Sequence, residues 1–180
     1  MVAITEYCAY VDTNIVLDII SNRKPVTTEI FDIVQDKKMK LCASHFTVME
    51  AFDIRLEQAF VSQEIKRGDS LENILKRRND RNLTPPDLTD VYNLVLIHFS
   101  QPYKKNIDFW NLNEDGWEYA IELMTKANFT ARDAIHVATA IKSKSQNFLT
   151  YDSDLRKNSK KFINTPDPQN FLSNLKKQFK

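Results

Sequence analysis

The chain has 180 residues, of which 42% are hydrophobic and 11% are aromatic, and this is enough apolar material for one domain with a hydrophobic core. Its formal net charge is +1, so overall charge gives no argument for a nucleic acid, a membrane or an acidic partner. The only glycines are Gly68 and Gly116, which excludes the glycine-rich phosphate loops of dinucleotide-binding domains and P-loop NTPases. We expect a single domain over residues 1–180.

The cysteines and the apolar segments bear on the cellular compartment. Cys8 and Cys42 lie within short apolar runs, so we predict buried free thiols rather than a disulfide framework. No segment approaches the roughly 18 uninterrupted apolar residues of a membrane span, and the N-terminus lacks the pattern of a secretion signal. These features predict a soluble cytoplasmic protein.

Apolar patterns predict strands that alternate with helices along the chain. The predicted strands lie at 7–11, 39–44, 107–112 and 147–151, with a short one near 162–163. The predicted helices lie near 15–20, from Thr27 or Thr28 to Val34, from Thr47 to about Arg67, near 88–99, from Asn113, at 130–142 and near 171–179, and an excursion runs through 68–86. We expect the helix from Asn113 to bury Trp117, Ala120, Ile121 and Met124.

Strands that alternate with helices are typical of a parallel sheet with helices on both faces. We therefore predict an α/β fold, a three-layer α/β/α sandwich with a central, mainly parallel sheet. The stretch around residues 62–90 contains a charged run and two adjacent prolines, and we predict that it forms a helical excursion from this sandwich.

Four acidic residues fall where the predicted strands end or the following helices begin. Asp12 closes the first strand, Asp152 closes the strand at 147–151, and Glu50 and Asp133 each lie about one turn into a helix. Ligands of open α/β sheets bind beyond the carboxyl ends of the strands. Mg²⁺ and Mn²⁺ prefer oxygen ligands, and two such ions can promote phosphodiester cleavage. The acids therefore predict a metal-ion nuclease in which all four are catalytic.

Each acid alone also fits a purely structural role. Asp12 can cap the helix that follows it. Glu50 and Asp133 each stand three residues after a threonine, which matches a capping box. Asp152 fits a turn into the next helix. The constellation of four acids, rather than any one of them, favours the catalytic interpretation.

Basic and imidazole side chains lie next to the acidic phrases. Between Arg156 and Lys180 there are seven Lys or Arg residues and one acid. We predict that Arg156, Lys157 and Lys160 bind RNA phosphates, although such a run also fits a solvated face. His136 lies three residues after Asp133 on a similar helix face. It could donate to a carboxylate or to RNA, but we favour a packing role with its nitrogens satisfied locally, because hard Mg²⁺ sites seldom use imidazole.

The acidic phrases, in their order along the chain, resemble the motifs of PIN-domain nucleases. The phrases are Val11-Asp12-Thr13-Asn14, Glu50 in the helix after the second strand, Ala131 to Ala140 around Asp133, and Leu149-Thr150-Tyr151-Asp152-Ser153-Asp154. The resemblance spans nearly the whole chain and is closest to the VapC-like branch, the toxin ribonucleases of prokaryotic toxin–antitoxin pairs.

The resemblance implies a metal site and a substrate class. It implies Mg²⁺ or Mn²⁺ bound by Asp12, Asp133, Asp152 and Asp154, and hydrolysis of phosphodiester bonds in single-stranded or structured RNA. Partners would be a small antitoxin protein and a second copy of the chain in a homodimer. The small polar positions of the family, which orient carboxylates or water, are matched by Thr13, Asn14 and Thr150.

Two other functions remain as alternatives. An RNA-binding or regulatory PIN-like domain would keep the fold with little or no catalytic turnover. A phosphatase with an aspartate nucleophile would use Asp12, but its usual pattern requires a second Asp where Asn14 stands, which argues against it.

Overall fold

The computed structural model describes residues 7–100 and 106–179, with the backbone alone for residues 96–100. The chain divides into two compact units. The first comprises residues 1–47 and 102–180, and the second comprises residues 48–101. The expectation of a single domain over residues 1–180 stays a prediction.

Along the described chain, each strand is followed by two or three helices. In order they are β1 (Ala9–Val11), α1 (Thr13–Ser21), α2 (Pro25–Asp36), β2 (Leu41–Ser44), α3 (His45–Lys66), α4 (Leu71–Lys76), α5 (Pro85–Ser100), β3 (Ile107–Trp110), α6 (Glu114–Ala127), α7 (Ala131–Lys142), β4 (Phe148–Leu149), α8 (Ser153–Ser159) and α9 (Pro168–Gln178). Within residues 7–100 and 106–179, no helix has the length and apolar character needed to cross a membrane.

The sheet of the first unit is parallel throughout and has the strand order β3-β2-β1-β4. Strands β1, β2 and β4 are wholly buried, as expected for a parallel sheet covered by helices. The predicted α/β sandwich with a parallel sheet is confirmed. In the register between β1 and β4, Val11 stands opposite Leu149, so the residues that follow these two strands are neighbours at the same edge.

A hydrophobic core lies between the sheet and helices α6 and α7. Tyr10 and Phe148 contribute large, fully buried rings to it, and Val137 and Leu123 pack from the helices. Both cysteines are free and buried, as predicted. Burial raises the pKa of the Cys8 thiol to about 11 and that of the Cys42 thiol to about 12.

Two local predictions in the first unit are wrong. Residues 162–163 form a turn rather than a strand, because the N–H groups of Phe162 and Ile163 both donate to the carbonyl of Ser159. Helix α2 begins at Pro25, upstream of the predicted caps. The Thr27 side chain is buried, and its hydroxyl lies 2.7 Å from the hydroxyl of Tyr151.

Helix α6 turns a different face to the core from the one predicted. Ala120 is buried as expected, but Trp117 is 49% exposed and Ile121 is 60% exposed, and Met124 is also exposed. The buried residues of the helix are Gly116, Ala120 and Leu123. A Cβ atom on Gly116 would lie 2.8 Å from a methyl carbon of Leu112, so a larger residue would collide at that position.

The second unit is helical, as predicted for the excursion around residues 62–90. Phe60, Ile74 and Leu83 form its small core. The Glu64 carboxylate is buried and pairs with the guanidinium groups of Arg67 and Arg77. These ion pairs engage Arg77, which belongs to the charged run of this stretch.

Candidate active site

Asp12 occupies the junction between β1 and α1, with no loop between the strand and the helix. Its N–H donates to the carbonyl of Leu149 at 3.0 Å, as a continuation of the strand pairing. Its Oδ1 atom accepts the N–H of Thr13 at 2.7 Å, as the N-cap of α1. The residue is 7% exposed. The capping interpretation of Asp12 is therefore confirmed, and it leaves the second carboxylate oxygen for other partners.

Side chains from two different elements orient the second oxygen of Asp12. Its Oδ2 atom accepts the amide of Asn14 at 2.6 Å and the hydroxyl of Thr150 at 2.8 Å. The Asn14 carbonyl accepts the N–H of Tyr151 at 3.1 Å, which fixes the orientation of the amide. Both oxygens of the carboxylate are thus held by donors, and such partners restrict the direction in which a carboxylate can bind a ligand.

Thr150 links Asp12 to Asp152. The Thr150 hydroxyl donates to Asp12 and also accepts the N–H of Asp152 at 3.0 Å. Asp152 is exposed and is the N-cap of α8, because its Oδ1 atom accepts the N–H groups of Asp154 and Leu155, each at 2.9 Å. The predicted turn at Asp152 is therefore present, and Asp154 is exposed in the first turn of α8.

Asp133 lies in the first turn of α7 and is half-buried. Its N–H donates to the hydroxyl of Thr130, the N-cap of the helix, at 3.2 Å. Among the described residues, neither Asp133, Asp152 nor Asp154 belongs to a group of three acid, cysteine or histidine side chains whose ligand atoms lie within 4.8 Å of one another. Asp133, Asp152 and Asp154 are therefore positioned by the same unit as Asp12 without forming such a group with one another.

Glu50 lies in α3, is half-buried, and belongs to the second unit. The predicted capping box before it is wrong, because α3 begins at His45 directly after β2. The hydroxyl of Ser44 accepts the N–H of Phe46 at 3.0 Å, so Thr47 is already inside the helix. Glu50 therefore does not close a capping box with Thr47.

The sequence pattern predicts no role in the site for Tyr10, and for His136 it favours packing over donation to a carboxylate. His136 is 2% exposed, and its Nδ1 atom lies 2.6 Å from the Tyr10 hydroxyl. Its Nε2 atom lies 3.6 Å from Oδ1 of Asp12. His136 does pack in the interior, as predicted, but it also faces the Asp12 carboxylate. The available signal was spacing, since Tyr10 stands two residues before Asp12, on the same face of the strand.

The fold and these contacts can be compared with known proteins. The family model of the PIN domain matches residues 9–161. The chain belongs to the PIN domain family. No curated protein matches it. This PIN domain is similar to a chain in a solved structure, "Crystal structure of VapBC2 from Rickettsia felis bound to a DNA fragment from their promoter". The TM-score is 0.52 and the sequence identity is 11%. The match covers 88% of this chain and 97% of that chain. The similarity to that chain concerns the fold.

The basic residues that were predicted to bind RNA lie in α8 and directly after it. Lys157 and Lys160 are exposed, whereas Arg156 is half-buried and pairs with Asp167 at 2.9 Å. Asp152 is the N-cap of α8 and Lys160 is its C-cap. An acid of the predicted site and two exposed lysines therefore lie along one short helix and its caps.

Proposed function

We propose that this PIN domain is a divalent-metal-dependent endoribonuclease. The observation that carries the proposal is the Asp12 carboxylate, which is 7% exposed and held at both oxygens by donors from Thr13, Asn14 and Thr150. Such a carboxylate is a hard, oriented oxygen ligand, and this chemistry suits Mg²⁺ or Mn²⁺. The membership of the PIN family supports a nuclease.

The proposed metal ligands are Asp12, Asp133, Asp152 and Asp154, and Glu50 joins Asp12, Asp133 and Asp152 as a catalytic acid. A bound Mg²⁺ or Mn²⁺ would activate water and stabilise the leaving oxygen of a phosphodiester. Mg²⁺ usually keeps several waters, so the acids need not all touch it. Thr13, Asn14 and Thr150 keep the Asp12 oxygens in one direction, and Thr150 couples them to the position of Asp152.

Incubation of the purified protein with single-stranded RNA tests this proposal. We expect cleavage with Mn²⁺ or Mg²⁺, loss of cleavage when EDTA removes the metal, and recovery when the metal is added back. Intact RNA under all conditions would contradict the proposal. Tight binding of RNA that stays intact after long incubation would favour the alternative, an RNA-binding or regulatory PIN domain.

The lysines of α8 are proposed to bind RNA phosphates together with Arg156. Replacing both Lys157 and Lys160 by alanine is expected to weaken RNA binding and to reduce the dependence of the affinity on salt. Each lost phosphate contact on single-stranded RNA lowers the slope of log K against log salt concentration by about 0.7. Fluorescence anisotropy at several salt concentrations measures this slope. Replacement of the exposed Lys126 and Lys177, on α6 and α9, is the matched control, and an equal change there would contradict a specific role for α8.

We propose more specifically that this nuclease is the toxin of a toxin–antitoxin pair. Its partner would be a small antitoxin protein, its assembly a homodimer and its location the cytoplasm. The fold similarity to a chain from the VapBC2 complex supports it. The test is growth arrest on expression of the gene, relieved by the product of a small reading frame beside it. Growth unaffected by an active nuclease would instead favour an RNA-processing role.

A further inference from the structure

The hydrogen-bonding geometry around the Tyr10 hydroxyl favours donation of its proton to His136. The hydroxyl oxygen accepts the N–H of Ser44 at 3.1 Å, and it lies 2.6 Å from Nδ1 of His136. A phenol carries its proton at neutral pH, and Nδ1 of His136 is a close acceptor for it.

The tautomer of His136 follows from this arrangement. A neutral imidazole carries one N–H, so an Nδ1 atom that accepts a hydrogen bond leaves the proton on Nε2. That Nε2 atom lies 3.6 Å from Oδ1 of Asp12. The distance is longer than a hydrogen bond, but it places the positive end of the N–H dipole beside the carboxylate.

We propose that His136 is a positioning residue that presents Nε2–H to the Asp12 carboxylate in the tautomer set by Tyr10, and that it does not bind the metal. The proposal rests on the proposed function, in which Asp12 is a ligand. A metal-binding imidazole nitrogen must be unprotonated. With Nε2 protonated, His136 instead adds α7 to the elements that hold Asp12, beside α1 and the segment after β4.

Nitrogen NMR of the imidazole ring tests the tautomer directly, without any activity. In the metal-free wild-type protein, ¹⁵N spectra of histidine-labelled material are expected to show His136 protonated at Nε2 and unprotonated at Nδ1. Addition of Mg²⁺ is expected to shift the backbone amide of Thr13, beside Asp12, and to leave the Nε2 proton in place. Tyr10→Phe removes the donor to Nδ1 and is expected to populate both tautomers.

Two substitutions of His136 distinguish the role of Nε2 from that of Nδ1. The amide of glutamine reaches about as far as Nε2, and that of asparagine about as far as Nδ1. His136→Asn is therefore expected to weaken Mg²⁺ binding by about 10-fold or more, the size of effect seen when a partner of a metal ligand is lost, and His136→Gln is expected to restore most of it. Isothermal titration with Mg²⁺ measures both affinities, and circular dichroism checks that each variant folds.

The outcomes distinguish this proposal from the proposed function. Protonation at Nδ1 in the metal-free protein, or loss of the Nε2 proton when Mg²⁺ binds, would overturn the positioning role while metal binding itself stands. If Mg²⁺ produces no shift at Thr13 and no heat of binding, the metal-dependent function fails. The wild-type spectrum remains decisive even where a variant at this buried position does not fold.

Discussion

Replacement of Asp12 by asparagine is expected to abolish most RNA cleavage and to lower the free energy of unfolding by only about 1–3 kcal/mol, the usual cost of an unsatisfied buried polar group. Asparagine is as good an N-cap as aspartate, so the bond from the N–H of Thr13 survives, but its NH₂ group then faces the donors of Asn14 and Thr150. The negative charge and one hard oxygen ligand are lost. Cleavage should fall by about 10²–10³-fold, as when one charge-stabilising group is removed from an active site. Initial rates of RNA cleavage and the midpoint of thermal unfolding measure the two effects.

The control for this substitution is the same change at another helix cap. Asp167 is the N-cap of α9, where its Oδ1 atom accepts the N–H of Gln169 at 2.9 Å. Asp167→Asn keeps that cap but loses the ion pair with Arg156, so the comparison is made at saturating RNA, where cleavage should be retained. Full activity of Asp12→Asn would show that Asp12 is only a cap. A large loss of stability in Asp12→Asn would attribute the lost activity to folding instead.

Replacement of Phe148 by alanine is expected to lower the free energy of unfolding by about 3–5 kcal/mol, the usual cost of deleting a fully buried phenylalanine ring. Phe148 is 0% exposed and lies in β4. Its ring centroid is 5.4 Å from that of Tyr10, so the deletion leaves a cavity in the core between the sheet and helices α6 and α7. Urea denaturation followed by circular dichroism measures the loss.

An exposed phenylalanine provides the comparison. Phe179 is 39% exposed, beyond the end of α9, and Phe179→Ala should change the stability by less than about 1 kcal/mol, as is usual at the surface. Equal losses in the two variants would contradict the placement of Phe148 at the centre of the core. Because Phe148 packs on Tyr10, the cavity should also alter the ¹⁵N signals of His136.

The sequence predicted the parallel sheet because its strands are short apolar runs that end at polar residues. The strand of residues 9–11 is wholly apolar and is followed by Asp12, and β4 is followed by the polar Thr150. The sequence pattern could not predict the strand order. No local pattern pairs β1 with β4, so the bond between Asp12 and Thr150, which are 138 residues apart, could not be derived.

Local errors arose where the apolar spacing and the observed burial disagree. Trp117 and Ile121 have the spacing of a core face, yet both are exposed, and Gly116 and Ala120 of the same helix are buried. In the predicted site, the acids could be named because carboxylates beyond strand ends have a recognised chemistry. Tyr10 could not be named, and packing was favoured for His136 over donation to a carboxylate, because an aromatic residue within an apolar strand and a histidine within a helix usually indicate packing alone.

The position of β4 has a consequence for synthesis of the protein. During synthesis Asp12 is made 138 residues before its partner Thr150, and the pairing of β1 with β4 needs both segments. Long-range pairing of this kind forms only when the later segment is present. A nascent chain that stops before Thr150 therefore carries Asp12 without the hydroxyl that orients its second carboxylate oxygen.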